Sequence, residues 1–134
     1  MTGNVVKSYH SSDQVDISLK KDKSPLTEAN TASNKFIVNE LESNFYYPIL
    51  SEECPVPYNT RKSWSKFWFV DPLDGTYDFI EKNDDFTINI ALIDNKRTIL
   101  GVINIPALET YWDESGKSAY KNGRKIFNKS NIKN

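Results

Sequence analysis

One cysteine, Cys54, and one histidine, His10, are all that the 134 residues contain of those two types. A lone thiol makes no internal disulfide and no multi-cysteine zinc site, and a lone imidazole excludes any centre built on two histidines. Neither sign of charge is in excess, with 17 Lys+Arg against 18 Asp+Glu and a net charge of −1. Without a basic surplus to neutralise phosphates, a general binder of nucleic acid polymers is excluded. No apolar run approaches the ~18 residues of a transmembrane helix. The opening Met1-Thr2-Gly3-Asn4-Val5-Val6-Lys7 has no apolar signal region. The chain reads as cytoplasmic, with peripheral association at an inner membrane left open, and any metal it holds must be held by oxygen.

What is there is an ordinary globular composition, 38% hydrophobic and 13% aromatic. The length suits a single domain, 1–134, able to bury roughly two-thirds of its unfolded surface. Residues 1–26 read as polar and irregular apart from a short strand at Val15-Asp16-Ile17-Ser18-Leu19, broken by Lys23-Ser24-Pro25. A helix is predicted at about 28–45: Thr27 suits the N-cap, Glu28 the positive end of the dipole, and Ala29, Ala32, Phe36, Ile37, Leu41 and Phe45 recur at helical intervals.

Tyr47 to Leu50 and Lys66 to Val70 read as strands, with Cys54 to Ser65 a surface loop between them. Phe86 to Ile93 alternates, with Phe86, Ile88, Ile90 and Leu92 on one face; Asp94 to Arg97 turns, and Ile99 to Ile105 returns antiparallel. Thr110-Tyr111-Trp112, Ser118-Ala119-Tyr120 and Lys125-Ile126-Phe127 continue the meander through turns at Ser115-Gly116 and Asn122-Gly123, and Asn128 to Asn134 is a polar, frayed tail. The fold class is α+β: one or two helices on a mainly antiparallel sheet.

The informative stretch is Phe69-Val70-Asp71-Pro72-Leu73-Asp74-Gly75-Thr76. Asp71 ends a strand, Pro72 stops its ladder, and Gly75 permits a tight reversal. Ser51-Glu52-Glu53 also follows a strand. If the two strands are neighbours, Glu52 arrives beside Asp71 and Asp74, and three carboxylates at close range take up protons unless a cation neutralises them. Oxygen donors alone select a hard ion, Mg²⁺ first. Asp-Pro and Asp-Gly are equally common turn chemistry, so spacing leaves a plain turn open beside a metal site. Thr76 opens a short helix, Thr76 to Lys82, whose first amides suit an anion, although taken on its own Thr76 is better read as a plain N-cap.

The remaining candidates have blander readings. Trp64, Trp68 and Trp112 are assigned to packing rather than to stacking on a base, and Tyr77 to a surface turn. Lys20-Lys21-Asp22-Lys23 is a solvated loop, Cys54 an unremarkable free thiol, and His10 a surface residue. Glu53 is expected to face outward, since neighbours in an extended segment point to opposite sides.

Asp71-Pro72-Leu73-Asp74-Gly75-Thr76 resembles the D-P-[IL]-D-G-T signature of the lithium-sensitive, Mg²⁺-dependent inositol monophosphatase superfamily. Ser24-Pro25-Leu26-Thr27-Glu28-Ala29, Pro48-Ile49-Leu50-Ser51-Glu52-Glu53 and Gly101-Val102-Ile103 match in order and spacing. Asp78-Phe79-Ile80 with Asp85-Phe86-Thr87-Ile88-Asn89-Ile90-Ala91-Leu92-Ile93 is most similar to the 3'(2'),5'-bisphosphate nucleotidases of the CysQ type. The resemblance runs from about Val5 to Phe127 and implies the amino-terminal half of that fold.

It further implies Mg²⁺ ligands at Glu52, Asp71, the Leu73 carbonyl and Asp74. Catalytic roles would fall to Glu52, Thr76 and Asp71, with Glu52 and Thr76 orienting the attacking water. Phosphate contacts would come from Glu52 and from Leu73, Asp74, Gly75 and Thr76. The implied reaction is metal-assisted in-line hydrolysis of adenosine 3',5'-bisphosphate, or of its 3'-phosphosulfate relative, to AMP and phosphate without a covalent phosphoenzyme, which clears a by-product of sulfate assimilation. An inositol monophosphatase and a non-catalytic metal-binding remnant or interaction module are the alternatives.

Two departures stand out. Asn30 occupies the last position of a Thr-x-Ala-Asp pattern, which implies a weakened third-metal site. Family members also carry a second α/β domain that supplies a further metal-binding Asp and most nucleoside contacts. Trp112-Asp113 is not that motif. The expectation is an amino-terminal metal-binding domain with one apolar face left uncovered and open to association.

Overall fold

The computed structural model describes residues 2–10, 17–19, 25–108, 110–115 and 118–127. The Lys20–Lys23 loop, Gly116 and the tail from Asn128 lie outside the described residues, as do the side chains of His10 and Trp112.

Two helices lie beside a twisted sheet. Helix α1 (Thr2–His10) packs on α2 (Glu28–Asn44), and α2 packs on the sheet. Strands β1 (Ile17–Leu19) and β2 (Pro25–Thr27) form a small antiparallel pair. The larger sheet runs in sequence order: β3 (Ile49–Ser51), β4 (Lys66–Asp74), β5 (Thr87–Asp94), β6 (Arg97–Ile105), β7 (Thr110–Ser115), β8 (Ser118–Lys121) and β9 (Arg124–Ile126). Among the described residues only β3 and β4 pair in parallel; each later pair is antiparallel. The α+β expectation holds, and so does the meander. Two of its tight turns, those within the described residues, put Asn95 and Lys96 (φ 47 and 66), and Asn122 and Gly123 (φ 49 and 75), in the left-handed region, as the hairpin turns matched to strand twist require. No helix among the described residues is long and apolar enough to cross a membrane.

The core is Val6, Ala29, Ile37, Trp68, Val70, Leu73, Phe79, Phe86 and Ile88. Trp68 and Val70 alternate toward the helices, so Trp68 packs rather than stacks on a ligand, and Phe45 meets it edge to face at 5.1 Å. Trp64 is half-buried against Phe67. The opposite face of the sheet is open: Phe69 and Ile103 are 45% and 46% exposed there, beside Ala91 and Val102 in a shallow apolar groove.

Several sequence expectations are corrected. The amino end is not irregular, because Thr2–His10 is helical and buries Val6 completely. Its weak intrinsic propensity is overridden by docking. Gly3 lies so close to β6 that a Cβ there would meet Asn104 Oδ1 at 2.5 Å. Pro25 opens β2 rather than ending structure, a position that suits proline at the first residue of an edge strand. The Cys54–Ser65 loop contains one helical turn, α3 (Tyr58–Arg61). Pro72 does not stop the ladder: β4 continues to Asp74 through an irregularity between Asp71 (opposite Asn89) and Asp74 (opposite Thr87), where a residue lacking an N–H costs no ladder bond. Helix α4 (Thr76–Ile80) ends at Ile80, two residues before the expected Lys82, which instead takes φ 63 in the turn that follows.

Candidate metal centre

The parallel pairing of β3 with β4 sets Ile49, Leu50 and Ser51 opposite Trp68, Phe69 and Val70. The Glu52 N–H extends that ladder by donating to the Val70 carbonyl at 3.0 Å. Glu52 therefore leaves β3 level with the residue that follows Val70, which is Asp71, and the two carboxyl groups share a hydrogen bond. The juxtaposition follows from register alone.

Asp71 is half-buried, and its carboxyl is raised from 3.8 to about 7. Burial is the largest cause, followed by the hydrogen bond to Glu52 and the negative charges of Glu52 and Asp74; the Leu73 N–H, which donates to Asp71 Oδ1 at 3.3 Å, pulls the other way. Asp74 is near enough for its charge to act on Asp71, but its Oδ2 accepts from Asn89 Nδ2 at 3.3 Å. Among the described residues no three His, Cys, Asp or Glu side chains form a ready-made cage. The structure brings Glu52 and Asp71 together and leaves Asp74 to one side.

The turn after β4 is held from several directions. Ser33 Oγ donates to the Pro72 carbonyl at 2.6 Å, and Leu73 is buried in the core. Gly75 adopts φ +85, and a Cβ on it would lie 2.8 Å from the Asp85 carbonyl, so glycine is required twice over. Phe79 and Phe86, both fully buried and edge to face at 5.3 Å, anchor α4 beneath the turn. Thr76 Oγ1 donates to the Leu73 carbonyl at 3.3 Å. That carbonyl keeps a second lone pair for another partner.

Helix α2 supplies the supporting groups. Thr27 caps it, with Asn30 completing a capping box. Asn30, Ser33, Asn34 and Ile37 fall at i, i+3, i+4 and i+7, one face of the helix. That face is polar where it meets the loops. Asn30 Nδ2 donates to Glu53 Oε1 at 3.0 Å and to Thr76 Oγ1 at 3.3 Å, and Ser51 Oγ donates to Asn34 Oδ1 at 2.5 Å. Asn34 Nδ2 reaches the sulfur of Cys54, an exposed free thiol, at 3.5 Å.

Glu53 is thus not turned outward. The Cys54 N–H closes a tight turn on the Ser51 carbonyl at 3.2 Å, so Glu52 and Glu53 occupy turn positions to which strand alternation does not apply. Sequence reasoning missed Glu53 and gave Asn30 only a lost charge; the Thr27-x-x-Asn30 spacing was the available signal. Tyr77 is 65% exposed on α4, as a surface turn residue would be.

The donor set suits a hard divalent ion. Glu52, Asp71 and the Leu73 carbonyl offer oxygen alone, and a cation there would offset the crowding of negative charge that, after burial, raises the Asp71 carboxyl.

Comparison with known proteins adds relatives to this geometry. The model of the inositol monophosphatase family matches residues 1–133. The chain is 38% identical over 118 residues to the 3'(2'),5'-bisphosphate nucleotidase CysQ of Escherichia coli strain K12, a match that covers 87% of this chain and 48% of that protein. It superposes on the crystal structure of CysQ from Bacteroides thetaiotaomicron, described as a bacterial member of the inositol monophosphatase family, with TM-score 0.77 and 34% identity over 98% of this chain and 48% of that one. It is also similar to the extragenic suppressor protein SuhB from Bartonella henselae, with TM-score 0.80 and 26% identity over 93% of this chain and 49% of that one. The chain spans about half the length of these relatives.

Proposed function

The chain belongs to the inositol monophosphatase family, and from that premise we propose that it forms the metal-binding part of a Mg²⁺-dependent phosphomonoester hydrolase acting on 3'(2'),5'-bisphosphate nucleotides. The observation that carries this reading is the Glu52–Asp71 carboxyl pair, set against the Leu73 carbonyl and the Thr76 hydroxyl at one turn. Adenosine 3',5'-bisphosphate is the favoured substrate because the curated relatives at 38% identity are nucleotidases. Lithium sensitivity, a role in sulfate assimilation and a cytoplasmic site of action belong to the same reading.

In this reading Glu52, Asp71, the Leu73 carbonyl and Asp74 hold the ions. When bound by these groups, a divalent cation would supply a lowered pKa for the attacking water and charge stabilisation for the leaving oxygen. Thr76 Oγ1 and Glu52 fix the direction of the attacking water by accepting its hydrogen bonds. The backbone from Leu73 to Thr76, pinned by Ser33 and Gly75, receives the phosphoryl oxygens. Rigid placement of these groups is the main contribution the chain makes to rate.

The test is phosphate release from adenosine 3',5'-bisphosphate with and without Mg²⁺, alongside inositol monophosphate, repeated with the carboxy-terminal half of a relative supplied in trans. Mg²⁺-dependent release favouring the nucleotide supports the proposal. No release under any condition refutes it. Asn30, hydrogen-bonded as a neutral amide, supports a second reading, a metal-binding module without turnover; Mg²⁺ uptake by calorimetry with no hydrolysis would select it.

A further inference from the structure

Asn30 has no solvent-exposed surface, and its amide is fully engaged. Its Oδ1 accepts from the Thr27 N–H at 3.1 Å and from Thr27 Oγ1 at 2.7 Å. Its Nδ2 donates to Glu53 and to Thr76. The orientation is not interchangeable. A backbone N–H only donates, so the atom facing Thr27 N must be the oxygen, and the NH₂ must face the acidic turn and Thr76. This polarity passes on to Thr76, which accepts from Asn30 and gives its single proton to the Leu73 carbonyl. One lone pair of Thr76 remains for a water.

We infer that Asn30 is a positioning residue: its amide holds Thr76 as an acceptor toward α2 and draws Glu53 to the same corner, so that Thr76 orients a water without passing a proton into the helix. The inference rests on the reading of Thr76 as the water-orienting group. A carboxylate at position 30 would reverse the polarity, because it accepts and cannot donate. Thr76 would then turn its proton away from Leu73, and the Glu53 carboxylate would face a like charge at the 3.0 Å now spanned by a hydrogen bond. The amide thus closes by hydrogen bonding a corner that two carboxylates would need a cation to close.

Nitrogen-15 NMR of the chain reads this directly. The Asn30 side-chain NH₂ pair, identified by its loss in Asn30→Asp, is expected to exchange slowly with solvent. Thr76→Val should shift one proton of the pair and Glu53→Gln the other, and Thr76→Ser should restore the first. A pair that exchanges as fast as a solvated asparagine, or that ignores Thr76→Val, overturns the inference. In parallel, Asn30→Asp should melt lower than the parent in metal-free buffer and be raised more by Mg²⁺; an equal response of both proteins to Mg²⁺ also overturns it. Neither readout requires turnover, so absence of phosphate release would sink the proposed function and leave this result standing.

Discussion

The N–H of Glu52 donates to the carbonyl of Val70 at 3.0 Å, one residue past the end of β3. That bond decides which carboxylate meets Asp71. A slip of one residue in the β3–β4 register would deliver Ser51 or Glu53 in its place.

Metal uptake should displace the proton that the raised Asp71 carboxyl holds. Calorimetric titration with Mg²⁺ near pH 6 (about one unit below the raised value of about 7) is expected to give heats that vary with the ionisation enthalpy of the buffer. Heats independent of buffer would contradict the ligand assignment. Asp71→Asn should weaken Mg²⁺ by more than the ~10–100-fold typical of losing a supporting partner.

Stability without metal should fall as pH rises. The folded Asp71 binds its proton more tightly than the unfolded residue does, at about 7 against 3.8. Its stabilising contribution is complete below the lower value and is lost as pH rises through the higher one. Melting temperatures of the metal-free chain should therefore decline between about pH 4 and about pH 7, less steeply with Mg²⁺ present and less steeply in Asp71→Asn. A flat profile for the parent chain would count against a proton on this pair.

Gly75→Ala should destabilise the chain by about 1–3 kcal/mol, from the strained left-handed backbone and from the contact with the Asp85 carbonyl. Urea unfolding measures this. A change within error would mean that the turn has room it does not show.

Ser33→Ala removes the hydroxyl that donates to the buried Pro72 carbonyl and should cost about 1–3 kcal/mol. Because the bond pins the turn carrying Leu73, Mg²⁺ affinity should drop with it. Loss of stability at unchanged affinity would confine Ser33 to packing.

Much of this was legible in the sequence, for identifiable reasons. Thr27 as a cap, the alternation of Phe86 to Leu92 and the Asn-Lys and Asn-Gly turns are local signals, and the structure follows them. Helix α1 and strand β2 were not, because each is short and exists through what it docks against. The polar half of the α2 stripe was overlooked because a search for apolar periodicity passes over Asn30, Ser33 and Asn34, which share a face with Ile37. At the candidate site the meeting of Glu52 with Asp71 was conditional on two strands being neighbours. The inward turn of Glu53 was hidden by applying strand alternation to a tight turn.

Strand β3 lies at the outer edge of the sheet, three residues long and paired on one side only. The element that delivers Glu52 is therefore a short edge strand, held by backbone pairing to β4 alone among the described residues. Its amides are expected to open at lower free energy than those of the central strands, without global unfolding. A cation held by Glu52 and Asp71, as proposed above, would clamp this edge onto its neighbour, so ligation and edge docking would be thermodynamically linked and each would strengthen the other.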